Sequence, residues 1–208
     1  MILSIKPGKS DKVHIYIDGE YRMTCDGNFW FSEKWHKLKE INDEELTELE
    51  GAVSSRRAFL SGMNLLGRRA HSKKELLIKL SQKFDRSAAE NAVAKLEELM
   101  LIDDEKFARY YAEELFERKH FAPKRIENEL RLKGIDSETA RNAVESLDKE
   151  DNNRIILLLN SKYKTKLSTE KGVRQAINGL MRMGYAYGDI KKALAEVGCD
   201  SEGEDFDG

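Results

Sequence analysis

Three stretches decide the fold: Ser72-Lys73-Lys74-Glu75-Leu76-Leu77-Ile78-Lys79-Leu80, Ala122-Pro123-Lys124-Arg125-Ile126-Glu127-Asn128-Glu129-Leu130 and Gly172-Val173-Arg174-Gln175-Ala176-Ile177-Asn178-Gly179-Leu180. Their apolar positions coincide when the chain is laid against itself at a period of about 50 residues: Leu76, Ile126 and Ala176, then Leu80, Leu130 and Leu180. A glycine follows at 134 and 184, with Phe84 at the equivalent place, and the next helix carries Val93, Val144 and Leu194. Such a period holds three helices. Self-similarity of this length marks a helical repeat whose units bury their apolar stripes against neighbours.

Working outward, the spacing predicts helices over 54–69, 73–83, 88–99, 104–119, 123–133, 138–148, 151–162, 169–183 and 187–197. Ser72-Lys73-Lys74-Glu75 and Ser87-Ala88-Ala89-Glu90 read as capping boxes, and Ser137 as the cap of the helix holding Val144. Gly134 and Gly184 suit the left-handed position after a helix end, and Pro123 suits a first helical turn. The N-terminal stretch differs. Val13, Ile15 and Ile17 alternate with polar residues, and after Asp18-Gly19 the alternation resumes through Tyr21, Met23 and Cys25, a β-hairpin. Keeping apolar residues on one face calls for a three-residue loop pairing Ile17 with Tyr21, Ile15 with Met23 and Val13 with Cys25. Ile2-Leu3-Ser4-Ile5 is a candidate third strand. From Phe29 the pattern turns helical through Phe31, Trp35, Leu38, Ile41, Leu46 and Leu49.

The expected fold is therefore mainly α: tandem three-helix repeats forming an elongated right-handed array, preceded by a small hairpin-plus-helix domain. The expected divisions are residues 1–50 for that accessory domain, 51–101, 102–149 and 150–198 for the three repeats, and 199–208 for an acidic disordered tail.

Composition narrows the function. The 208 residues are 40% hydrophobic and 36% charged, against about 25% charged in an average domain. No run approaches the roughly 18 apolar residues of a spanning helix, and Met1-Ile2-Leu3-Ser4-Ile5-Lys6 lacks the apolar core of a secretory signal. A cytoplasmic monomer is expected. Cys25 and Cys199 form no disulfide or zinc pattern and read as free thiols. The net charge of −2 is unevenly spread: residues 151–199 carry +5 and the tail 200–208 carries −5.

No catalytic constellation survives inspection, and no metal site or cofactor is expected. His14 lies in a strand and His36 beside Trp35, while His71 and His120 occupy equivalent corners without Cys, Asp or Glu at ligand spacing. Asp103-Asp104-Glu105 could hold magnesium, but acids at a helix start cap N–H groups and match the dipole. No phosphate-binding glycine loop is present. Phe29, Trp30, Phe31 and Trp35 could stack unpaired bases. The i,i+4 spacing of Phe31 and Trp35 reads as core instead, leaving Trp30 as the candidate exposed ring.

The corner between the first and second helix of each repeat is basic: Arg68-Arg69 and Lys73-Lys74, then Arg118-Lys119 and Lys124-Arg125, then Arg174. A cation in a first helical turn opposes the helix dipole by roughly 0.3–1 kcal/mol. Its recurrence at 74, 124 and 174 marks either a partner-binding row or a solvated face of a highly charged protein.

Ala70-His71-Ser72 with Glu75-Leu76 and Lys79-Leu80, Leu99-Met100-Leu101-Ile102-Asp103-Asp104 with Phe107-Ala108, Lys133-Gly134-Ile135 and Met183-Gly184-Tyr185 stand in this order across residues 56–198. Together they resemble the RecX family of bacterial regulatory proteins. Phe84 departs from the glycine that members often carry there, and the first 50 residues occur only in longer members. The resemblance implies tandem three-helix modules and a non-enzymatic modulator of the RecA recombinase. Such a protein binds the RecA filament on single-stranded DNA and inhibits strand exchange, ATP hydrolysis and coprotease activity. Arg68, Arg69, Lys73, Lys74, Arg118, Lys119, Lys124, Arg125 and Arg174 are the candidate contacts to filament or DNA. A helical module binding nucleic acid directly, without RecA, is the alternative; the near-neutral charge speaks against strong DNA binding alone.

Overall fold

The computed structural model describes residues 1–147 and 151–199. The acidic tail at 200–208 and the boundary expected at 149/150 lie outside the described residues. Two compact units emerge, residues 1–104 and 105–208.

The first unit opens with antiparallel strands β1 (Leu3–Pro7), β2 (Lys12–Ile17) and β3 (Glu20–Asp26). The third strand expected at Ile2–Ile5 is thus β1, with Ile5 opposite Ile15. The hairpin register departs from expectation at its tip. Ile17 faces Glu20, not Tyr21, and Tyr21 faces Tyr16. Asp18 and Gly19 both take positive φ, +50° and +86°, the combination that a tight two-residue turn requires and that matches strand twist. Arg22 is then the extra residue of a β-bulge, below which Ile15–Met23 and Val13–Cys25 pair as predicted. The bulge reconciles a short turn with an apolar face.

A short helix α1 (Gly27–Ser32), a 3₁₀ turn at Lys34–Lys37 and the long helix α2 (Asp43–Leu66) follow. Extended Glu33 separates the first two, so Phe31 and Trp35 do not share a helical face. Trp30 and Trp35 are both buried, whereas Phe31 is 61% exposed. This exchanges the expected roles of Trp30 and Phe31. The helix expected from residue 54 begins at Asp43, where Asn42 and Glu45 form a reciprocal capping box. It runs unbroken across positions 50 and 51. Leu49 and Val53 on α2 bury against Ile15, Cys25, Trp30 and Trp35, and Arg56, one turn further, holds Asp26 through two bonds of 2.8 and 2.9 Å. That half-buried pair draws the Asp26 carboxyl below its usual range. Helices α3 (Lys73–Ser81) and α4 (Arg86–Glu98) complete the first repeat on Ala58, Leu76, Leu80, Val93 and Leu96.

The second unit contains α5 (Asp104–Lys119), α6 (Pro123–Leu132), α7 (Ser137–Glu145), α8 (Asp151–Asn160), α9 (Glu170–Arg182) and α10 (Tyr187–Glu196). Leu76, Ile126, Ala176, Leu80, Leu130 and Leu180 all have zero exposure, so the periodic positions are core in every copy. Gly134 and Gly184 take φ of +87° and +96°, and Ile135 and Tyr185 donate back to the carbonyls of Leu130 and Leu180. Without a glycine, Phe84 donates to the Leu80 carbonyl instead. Asp85 caps α4 and Asp136 caps α7, displacing the expected caps Ser87 and Ser137 by one or two residues. Cys25 and Cys199 are free thiols.

Candidate functional site

The first corner is a charge-balanced cluster. Ser72 Oγ accepts from the Glu75 N–H at 3.2 Å, as the capping box requires. The Glu75 carboxylate, largely buried, accepts both terminal nitrogens of Arg69 at 2.8 and 2.9 Å and lies 2.9 Å from His71 Nδ1. His71 is buried, and burial pulls its pKa below the usual value against the opposing pull of Glu75. Asp104, the last residue of this unit, accepts the Lys73 backbone N–H at 2.9 Å, so an acid at the start of α3 comes from the far end of the unit. Burial pushes the Asp104 carboxyl up. Lys73 Nζ pairs with Glu97 on α4. Arg68 and Lys74 are exposed and form no ion pair among the described residues.

The second corner relies on rings. Ala122 offers no side-chain cap to α6, and its N–H donates to the Met183 carbonyl at 2.8 Å. The Arg125 guanidinium lies 3.9 Å from the Phe121 ring centroid and reaches Glu129 at 3.6 Å. Arg154, from α8, stacks 3.5 Å from the Phe116 centroid, donates to the Phe116 carbonyl and reaches Glu117 at 3.5 Å. No sequence signal announces it, because it meets these partners from a distant helix. His120, in a left-handed conformation at +55°, has its pKa lowered by burial and then by Arg154 and Lys162. Arg118 is 3.8 Å from Glu114. Lys119 and Lys124 are exposed and form no ion pair among the described residues.

In the third copy Arg174 is exposed and 3.3 Å from Glu170, one turn before it. Positions 74, 124 and 174 therefore share exposure. Arg69, Lys73, Arg118, Arg125 and Arg174 each have a carboxylate of their own unit within 4.0 Å. Lys74, Lys124, Lys119 and Arg68 keep their charge available to an outside anion.

Comparison with known proteins places this geometry. Residues 58–96, from the second half of α2 through α4, match the model of the first three-helix domain of RecX. Residues 103–144, α5 through α7, match that of its second three-helix domain. Over these two stretches the chain is similar to the RecX family. Curated relatives agree over nearly the full length: regulatory protein RecX of Caldanaerobacter subterraneus is 28% identical over 191 residues, covering 91% of this chain and 95% of the relative. Regulatory protein RecX of Clostridioides difficile is 28% identical over 90% of both. Among solved structures, a crystal structure of regulatory protein RecX superposes with a TM-score of 0.70 at 19% identity, covering 92% of this chain and 98% of that one. RecX from Lactobacillus salivarius gives 0.57 at 23% identity, over 70% of this chain and 97% of its own. RecX relatives thus share the fold of the N-terminal sheet and the repeats together, and their name assigns a regulatory role.

Proposed function

We propose that this chain binds RecA filaments assembled on single-stranded DNA and inhibits their recombinase, ATPase and coprotease activities, acting in the cytoplasm without a cofactor or chemistry of its own. The observation that carries this reading is the match of residues 58–96 and 103–144 to the first and second three-helix domains of RecX. It is supported by an exposed cation at the repeat-equivalent positions 74, 124 and 174, the second residue of α3 and of α6 and one turn into α9. Repeated weak contacts suit a partner whose own sites repeat, because once one is made the others form at high effective concentration. Within the candidate set, Lys74, Lys124, Lys119 and Arg68 make the primary contacts, and Arg69, Lys73, Arg118, Arg125 and Arg174 exchange their internal carboxylates for the partner.

Co-sedimentation with RecA–DNA filaments, with naked DNA and with RecA alone, each at two salt concentrations, tests this. Preferential retention by filaments, together with loss of RecA ATPase activity, is the expected result. Equal binding to naked DNA, falling steeply with salt, would make the chain a nucleic-acid-binding module with no RecA partner.

A further inference from the structure

The bulge at Arg22 sorts two side chains to opposite sides of the N-terminal sheet. Arg22 turns toward α2, where its guanidinium meets Glu50 at 2.5 Å. Tyr21 is carried to the other face, opposite Tyr16, and is 59% exposed. In the straight register Tyr21 would have joined Ile17 on the apolar side. Bulges commonly re-aim a side chain for use, and here the result is a ring held in solvent on the face turned away from the core.

Its neighbours hold it in place. The Tyr21 ring stands edge-on to both His14 and Tyr16, with centroids at 6.1 and 5.9 Å and planes crossed by 68° and 76°. Its hydroxyl lies 3.0 Å from Thr24 Oγ1, and the same oxygen is 2.7 Å from His14 Nδ1. Strands β2 and β3 therefore supply a fixed, L-shaped aromatic surface. Cations flank it: Lys6 Nζ sits 4.6 Å from the Tyr16 centroid, and exposed Lys12 lies one alternation beyond His14. Neither lysine forms an ion pair among the described residues. Of the acids beside it, Asp18 and Asp26 are occupied elsewhere, by the Ile2 N–H and by Arg56, while Glu20 is exposed at the start of β3.

We infer that the outer face of this sheet, centred on Tyr21 with Tyr16, His14, Lys6 and Lys12, binds single-stranded nucleic acid. Unpaired bases stack on the upright ring of Tyr21, and the lysines take the flanking phosphates. An exposed aromatic ring bordered by lysines that hold no carboxylate complements alternating bases and phosphates. A duplex keeps its base faces stacked inside and cannot use the rings. A protein-docking sheet face would present aliphatic residues at its centre, where this one has tyrosines, an imidazole and a threonine. A sheet of three strands spaced about 4.8 Å apart accommodates roughly two or three bases. This site is separate from the repeat corners and does not rest on the RecA reading.

The test uses the full chain and no recombinase. Binding of a fluorescein-labelled twenty-nucleotide oligothymidylate and of a blunt duplex of equal length is followed by anisotropy, with Trp30 and Trp35 fluorescence reporting that the unit remains folded. Tyr21→Ala should weaken oligothymidylate binding by about fivefold or more and leave duplex binding unchanged, while Tyr21→Phe, which keeps the ring, stays near wild type. Lys6→Gln with Lys12→Gln should flatten the salt dependence of single-strand binding. A wild-type chain that fails to bind the oligonucleotide overturns the proposal, as does a folded Tyr21→Ala variant that binds it like wild type. Unchanged oligonucleotide affinity with a loss of filament binding would make this face a protein-docking surface instead, and failure of the Lys74 and Lys124 variants to affect filaments would bear on the corners alone.

Discussion

Position 75 of the first repeat and position 125 of the second are the same place in the repeat, yet one holds Glu75 and the other Arg125. At the first corner Glu75 gathers Arg69 and His71, and Glu97 and Asp104 answer Lys73. At the second, Arg125 and Arg154 rest on Phe121 and Phe116, with carboxylates only at 3.5 Å or more. Both corners are basic in sequence. The second keeps more of its cationic field, because its guanidinium groups rest on rings, which do not cancel charge, and its carboxylates stand further off. Repetition of charge along a sequence is thus not repetition of electrostatics in space.

The largest expected effect breaks the second corner from the far side. Gly184 has φ +96°, and a Cβ there would lie 2.6 Å from the Arg125 Cβ. Gly184→Ala combines left-handed strain with a clash against the start of α6 and should cost about 2–4 kcal/mol, read in a urea titration by far-UV circular dichroism. At the first corner, Glu75→Ala should cost about 1–3 kcal/mol, the range for removing the charged partner of buried hydrogen-bonding groups. Because the chain's two tryptophans are Trp30 and Trp35, their fluorescence reports this loss in the first unit. Arg125→Glu should cost less, about 1 kcal/mol, since it forfeits a cation–π contact and places an acid one turn from Glu129. Equal losses for Glu75→Ala and Arg125→Glu would erase the distinction between a carboxylate-built and a ring-built corner.

The repeats were legible because a period of about 50 fixes both burial and helix ends. Expected 104–119 and observed Asp104–Lys119 are one element. Reading failed where a local feature interrupted the period. The bulge at Arg22 shifted the hairpin tip, and the break at Glu33 exchanged the burial of Trp30 and Phe31, since i,i+4 logic holds only within a continuous helix. Helix α2 starts ahead of the expected position 54 because Asn42 and Glu45 cap it reciprocally at Asp43. At the corners the cations were readable and their partners were not, as Glu97 and Asp104 reach Lys73 from 24 and 31 positions away in sequence.

The difference between the corners carries over to binding. Lys124→Glu should weaken filament or DNA binding more than Lys74→Glu, and should lower the salt slope by about one. Lys74 lies between Lys73, which Glu97 and Asp104 answer, and Glu75, so reversing it changes a field that acids already offset. Glu75→Gln, which releases Arg69, should strengthen binding at low salt. Identical losses for the two lysine variants would show that the acids of the first corner do not shield it.

The smallest effect separates the corners by pH. His71 and His120 both have pKa values below the usual one, mainly through burial. An unfolded histidine takes up its proton near pH 6.5, whereas each folded one resists until the pH is lower. The unfolded state therefore binds more protons in that interval, and stability held above about pH 6.5 is lost as the pH falls through the folded value. The two corners should differ in what modulates this. Glu75 pulls the His71 pKa up, so Glu75→Gln should steepen the acid-side loss seen by tryptophan fluorescence, and His71→Gln should flatten it. After burial, Arg154 and Lys162 push the His120 pKa further down, so added salt should remove that smaller part of the acid-side loss from its corner. A His71→Gln variant whose stability falls between pH 7 and 5.5 as steeply as wild type would remove His71 from the account, because the slope, unlike the absolute stability, is insensitive to any packing lost in the substitution.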